Sequence, residues 1–189
     1  ESYPVYKLKI NGVEDNEDLA TYINKLSLIP RLDKNLEVIL GVDLGYTQPS
    51  ALFVMYKDSK GRFRFHAKIQ LTKVSYPVQE KLLDFLDTKF SPVLWGVDEG
   101  NIGKAVIQHF VEDAEYKKKG YKNRIIPINF SASVIIGYNK DGEEIKAKTR
   151  PFAISLTQEY VNEHRVVFSS TDSDTIAELE RMTYVKNPS

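Results

Sequence analysis

An α/β fold built on a mixed central sheet is predicted by three features of this 189-residue sequence. Three strand-like runs joined by short connections come first. Helices and strands then alternate, the order that produces parallel pairing through crossovers. Two of the strands are apolar along almost their whole length, as strands buried on both faces of a sheet are.

The elements follow in order. Residues 1–36 read as an approach segment: a short strand-like VYKLKI, an Asn-Gly turn, and an acidic-capped helix from about Asn16 to Leu28 that Pro30 stops. The compact domain, residues 37–189, opens on the apolar run that ends at Asp43. Ser50 to Lys57 is a second strand and Arg62 to Gln70 a third, with Asp58-Ser59-Lys60-Gly61 as the hairpin turn between them. From Pro77 to Phe90, Val78, Leu82, Leu83, Phe85 and Leu86 fall at helical spacing. Pro92 to Asp98 is a fourth strand, again apolar and again ending in an aspartate. A helix from about Ile102 to Asp113, a basic loop from Lys117 to Lys122 and a fifth strand from Arg124 to Asn129 come next.

Asn139-Lys140-Asp141-Gly142 marks a hairpin between two strand-like arms over Val134 to Lys148. A helix over Phe152 to Glu163, a short strand over Val166 to Phe168 and a helix over Thr175 to Met182, capped by Ser173 or Asp174, complete the reading.

Composition removes several kinds of chemistry. Hydrophobic residues at 42% and charged residues at 28% describe a globular protein, and no run approaches the ~18 apolar residues of a membrane span. The absence of cysteine excludes disulfides, Cys-ligated zinc and a thiol nucleophile, and fits an intracellular setting. The histidines, His66, His109 and His164, are scattered and make no zinc motif. A net charge of zero means that any nucleic-acid partner must be met by a local basic patch. The chain opens on Glu1 without a methionine and reads as a fragment of a longer protein.

Asp43 and Asp98 are the candidate catalytic and metal-binding residues. Each ends an apolar strand and is followed two residues later by glycine, as Asp43-Leu44-Gly45 and Asp98-Glu99-Gly100. Alone, either is an ordinary turn residue. Together they stand on strands that the order of reversals and crossover makes parallel neighbours, so both reach the carboxyl edge of the sheet, where ligands bind in open α/β folds. Paired carboxylates resist joint ionisation unless a cation lies between them, and Mg²⁺ or Mn²⁺ prefers such oxygen ligands.

The runs VILGVDLGYTQPSALFVMY and VLWGVDEGNIGKAVIQHF resemble the nuclease domain of viral, phage-type terminase large subunits, of the RNase H/RuvC-like superfamily. The resemblance continues through INFSAS, the hairpin, KAKTRPFAISLTQEYV and HRVVF, and covers about Leu36 to Ser170. It implies an RNase H-like fold and a two-metal-ion DNA endonuclease acting in viral genome packaging in the host cytoplasm. The implied partners are double-stranded DNA, an ATPase domain of the same polypeptide to which residues 1–36 would lead, and the small terminase and portal proteins. Asp43 matches the family's first-strand acid, Asp98 its fourth-strand acid, and Gly103 a glycine opening the following helix.

The family's third acid lies on a helix beyond a further strand, and no such helix is found before Ser189. Asp172 and Asp174 are the substitutes available, although Ser-Ser-Thr-Asp-Ser-Asp reads as a helix cap. Lys146, Lys148 and Arg150, beside the hairpin, are candidate phosphate contacts, against the alternative of a solvated charged face. A second resemblance points elsewhere. GVDLGYTQPSALFVM also looks like the phosphate-binding turn of actin and sugar-kinase ATPases, in which Asp43-Leu44-Gly45 would bind phosphate, but no second glycine-rich loop is visible.

Overall fold

The structure is a computed structural model that describes residues 2–12, 18–100, 102–129, 133–148 and 162–172. Its strands are β1 (Tyr6–Asn11), β2 (Val38–Asp43), β3 (Ser50–Lys57), β4 (Phe63–Thr72), β5 (Leu94–Asp98), β6 (Ile125–Ile128), β7 (Ser133–Tyr138), β8 (Glu144–Lys148) and β9 (Val166–Val167). Its helices are α1 (Leu19–Ser27), α2 (Tyr76–Phe90), α3 (Gly103–Glu112) and the single turn α4 (Ala114–Lys117). The helix expected at Thr175 to Met182, and all but the end of that expected at Phe152 to Glu163, lie outside the described residues.

The main sheet runs β1-β4-β3-β2-β5-β6, and β9 also pairs with β4. β2, β3 and β4 form the antiparallel meander, while β5 joins β2 and β6 joins β5 in parallel, as the sequence order predicts. Asp58 closes the β3–β4 hairpin by accepting from the N–H groups of Lys60 and Arg62, both at 2.9 Å, and Gly61 takes the left-handed conformation that the turn needs, φ 76°.

Residues 6–11, read from sequence as part of an approach segment, are built into the sheet. They run parallel to Ala67–Thr72 of β4, and the Asp18-capped helix α1 buries Tyr22 and Leu26 in the same core. The signal was there in the alternation of Tyr6, Leu8 and Ile10, but a parallel edge partner some sixty residues away leaves no local mark.

One face of the sheet is dry. Leu40, Val42, Leu52, Val54, Ile69, Leu71, Trp95 and Val97 pack with Leu82, Leu83, Leu86 and Phe90 of α2 and with Val106 and Phe110 of α3. Strict alternation predicts that His66 points away from this face. The β3–β4 register shifts between Val54 and Met55, so His66 is an extra residue on β4 and is buried, with Nε2 2.6 Å from the Pro30 carbonyl.

A buried acid fastens this core to the parallel half of the sheet. Asp87 of α2 accepts from Trp95 Nε1 at 3.0 Å and from Arg124 Nη1 and Nη2 at 2.6 and 3.1 Å. Asp84 accepts from Lys119 Nζ at 2.5 Å and from the Tyr121 hydroxyl at 2.6 Å. Burial and the bond to Asp84 hold the Tyr121 hydroxyl far above its ordinary pKa, so it stays a donor. Lys119, read from sequence as part of a basic loop, thus belongs to an ion-pair network.

Candidate metal centre at the carboxyl edge of β2 and β5

The ladder between β2 and β5 sets the geometry. Val42 lies opposite Val97, and the next residue on each strand is Asp43 or Asp98. Adjacent strands stand about 4.8 Å apart, so two carboxylates in this register are within reach of one cation. Because side chains alternate, Val42 and Val97 face the helices while Asp43 and Asp98 emerge on the opposite face. Asp43 is exposed and Asp98 half-buried. Across the same row, Asp98 pairs with Ile128 of β6, and Asp43 with Ala51 of β3.

The backbone turn after each acid is tightly fixed. Asp98 Oδ1 accepts the Gly100 N–H at 2.9 Å, which orients the carboxylate. Glu99 N–H donates to Ile128 at 2.9 Å, and Lys104 N–H returns to the Glu99 carbonyl at 3.2 Å. The start of α3 is therefore folded back onto the end of β5. A Cβ at Gly103 would overlap the Asp98 carbonyl, which is the physical reason for glycine at the helix start. After Asp43, the Gly45 N–H donates to Ser50 Oγ at 2.8 Å. That bond commits the N–H that a phosphate-binding use of the Asp43-Leu44-Gly45 turn would call on.

The chemistry of the donor set fits a hard divalent cation: two carboxylates, one oriented by a backbone amide, on one accessible edge. Among the described residues no group of three or more His, Asp or Glu side chains could hold a metal ion. Asp172 does not join Asp43 and Asp98. Its carboxylate is 1% exposed and lies between Lys7 Nζ of β1 at 2.9 Å and Lys68 Nζ of β4 at 2.5 Å. Two cations against one buried anion make Asp172 a clamp that ties the segment after β9 to β1 and β4. Tyr3 strengthens the same junction by donating its hydroxyl to Val167 at 2.5 Å. Asp174 and Arg150 lie outside the described residues.

Lys146 and Lys148 are exposed on β8, and Lys146 pairs with Glu144 at 3.2 Å. Their hairpin is a separate two-stranded sheet, β7–β8, that begins five residues after Ile128. Trp95 is core, and Tyr46 is exposed and 6.3 Å from Tyr76, ring to ring.

Sequence reading missed the polar residues that fix the turn after Asp43, chiefly Gln79 and Ser50. A signal existed: Gln79 falls on the stripe of Leu82, Leu83, Leu86 and Phe90, so helical spacing alone puts a polar group on the buried face of α2.

This mixed sheet, flanked by helices and extended by a hairpin, has the fold of the RNase H-like nucleases. Comparison with solved structures places it beside the large terminase nuclease of the thermophilic phage G20c. The cobalt-bound form matches with a TM-score of 0.51 and 12% identity over 75% of this chain, and the zinc-bound form with 0.52 and 13% over 78%. The chain spans 62% of the length of the first and 72% of the second. At such identity the likeness is one of fold. No protein-family model and no curated protein matches the sequence. No helix among the described residues is long and apolar enough to cross a membrane.

Proposed function

We propose that this chain is the nuclease domain of a viral DNA-packaging terminase, cleaving double-stranded DNA by divalent-metal-dependent phosphodiester hydrolysis. The observation that carries the reading is the register of β2 and β5, which brings Asp43 and Asp98 to adjacent positions at one sheet edge. The likeness to nucleases that bind cobalt and zinc supports it.

Asp43 and Asp98 hold the cation, with Mg²⁺ or Mn²⁺ as the physiological candidates. Divalent ions held by these residues would supply a water activated for attack and would stabilise the departing 3′ oxygen. Further carboxylate oxygen would come from a third acid, for which Asp174, outside the described residues, is the candidate. Lys146, Lys148 and Arg150 neutralise DNA phosphates and position the duplex without reading its sequence. The ATPase domain of the same polypeptide delivers the duplex, in company with the small terminase and portal proteins, in the host cytoplasm.

The test uses the full parent protein and plasmid DNA with Mn²⁺ or Mg²⁺. Asp43→Asn and Asp98→Asn should each lower cleavage at least about a hundredfold, the lower scale for losing one catalytic electrostatic group. Both should keep or slightly raise thermal stability, because carboxylate repulsion is relieved. Near-normal cleavage by either folded variant would remove the assignment.

A further inference from the structure

Next to the turn after Asp43 lies a buried polar cluster that the proposed chemistry does not use. Gln79, in the first turn of α2, is 1% exposed, and Ser50, at the start of β3, is fully buried. Between them they take both backbone groups of Gly45. The Gly45 N–H donates to Ser50 Oγ at 2.8 Å, Ser50 Oγ donates to Gln79 Oε1 at 2.6 Å, and Gln79 Nε2 donates back to the Gly45 carbonyl at 2.9 Å. The second amide hydrogen of Gln79 goes to the Val74 carbonyl at 2.8 Å. The cycle is closed, and every donor and acceptor in it is matched to a partner of the opposite kind.

Such a cluster is costly if broken, since a buried polar group left unsatisfied loses its water partners without a replacement. A leucine at position 79 would continue the apolar stripe of α2 without that risk. What the amide adds is a fixed place for Gly45, two residues beyond Asp43. Other contacts act in the same sense. Leu44 is buried, the Lys73 N–H donates to the Tyr46 carbonyl at 3.0 Å, and a Cβ at Gly45 would overlap the Gln48 carbonyl. Upstream of Asp43 the chain is held by the ladders to β3 and β5; downstream it is held by Gln79 and Ser50.

We infer that Gln79 and Ser50 are positioning residues for Asp43: by clamping Gly45 they set the direction in which the chain leaves β2, and thereby how tightly Asp43 and Asp98 hold a divalent cation. The inference rests on the reading of that pair as cation ligands. It assigns to α2, a helix of the opposite sheet face, a direct part in shaping the metal edge. Partners that orient a metal ligand without touching the metal typically contribute 10–100-fold in affinity.

The experiment is a titration of the 189-residue chain with Mn²⁺, following the electron paramagnetic resonance signal of the free ion, together with hydrogen exchange of the Gly45 amide. Gln79→Met and the gentler Ser50→Ala should each weaken Mn²⁺ binding about tenfold and speed exchange at Gly45. Leu26→Ala in α1, which destabilises the same core away from the loop, should leave Mn²⁺ binding unchanged. Adding Gln79→Met to Asp43→Asn should weaken binding no further, because the acid through which Gln79 acts is already lost. If Asp43→Asn weakens binding while folded Gln79→Met or Ser50→Ala binds as the parent does, the positioning role is overturned and the metal pair stands. If Asp43→Asn binds Mn²⁺ as the parent does, the metal pair itself falls, and the inference with it.

Discussion

Single side chains decide where the acids of this protein stand. The sequence singles out Asp43 and Asp98 because each ends an apolar run and the two strands read as parallel neighbours, a pairing that the β2–β5 ladder bears out. Asp87 was not legible. It shares the buried stripe of Leu83, Leu86 and Phe90, but its partners Trp95, Lys119 and Arg124 are 8, 32 and 37 residues away, so as a residue type it reads like its half-buried neighbours Glu80 and Asp84. Burial distinguishes them. Removal of the Asp87 carboxylate leaves the Trp95 N–H without its acceptor and the Arg124 guanidinium, still bonded to the Pro92 and Lys119 carbonyls, without its counter-charge. Asp87→Ala should therefore cost roughly 3 kcal/mol of folding stability, the scale for breaking a buried charge pair, as read by urea denaturation. A loss below about 1 kcal/mol, the ceiling for an exposed pair, would mean that water replaces the carboxylate.

Elements were read well where their signal is local and poorly where it is not. The meander, α2, α3 and the β7–β8 hairpin follow from periodicity and turn residues. The pairing of β1 with β4 and the extra residue at His66 depend on register, which only the assembled sheet sets. The β3–β4 turn carries its own pH dependence. Partial burial raises the Asp58 carboxyl, but the Arg62 N–H, the Arg64 side chain, the Lys60 N–H and the Arg62 charge outweigh it and bring the pKa from 3.8 to about 2. A depressed carboxyl contributes stability that is present above its unfolded value and lost as pH falls through the folded one. Thermal melts of Asp58→Asn should thus vary less than those of the parent between about pH 4 and pH 2, and equal slopes would contradict the turn's role. The hairpin makes a different prediction. Ile135, Ile136, Tyr138 and Ile145 are exposed on it, so its arms contribute little to the core. Deleting Asn139 to Gly142 with a short reconnecting turn should alter DNA access or cleavage in the parent protein while moving the melting temperature by no more than a few degrees. Unchanged cleavage would reduce the hairpin to scaffold.

At the scale of the whole molecule, the fold brings the two candidate acids to one edge. The described helices cover one sheet face and build the core. The acids emerge on the other face, at the end where β2 and β5 finish together, and the hairpin leaves the sheet from the neighbouring end of β6. Asp172, offered by the sequence as a substitute third ligand, is instead committed to Lys7 and Lys68 near the opposite edge. Sequence could not reveal this, since both lysines precede it by more than a hundred residues. The central claim is that Asp43 and Asp98 share a divalent cation, and anomalous diffraction from crystals of this chain grown with Mn²⁺ tests it most directly. A peak is expected between the two carboxylates, lost in crystals of Asp43→Asn. Manganese density elsewhere, with none within coordination distance of Asp43 and Asp98, would contradict it.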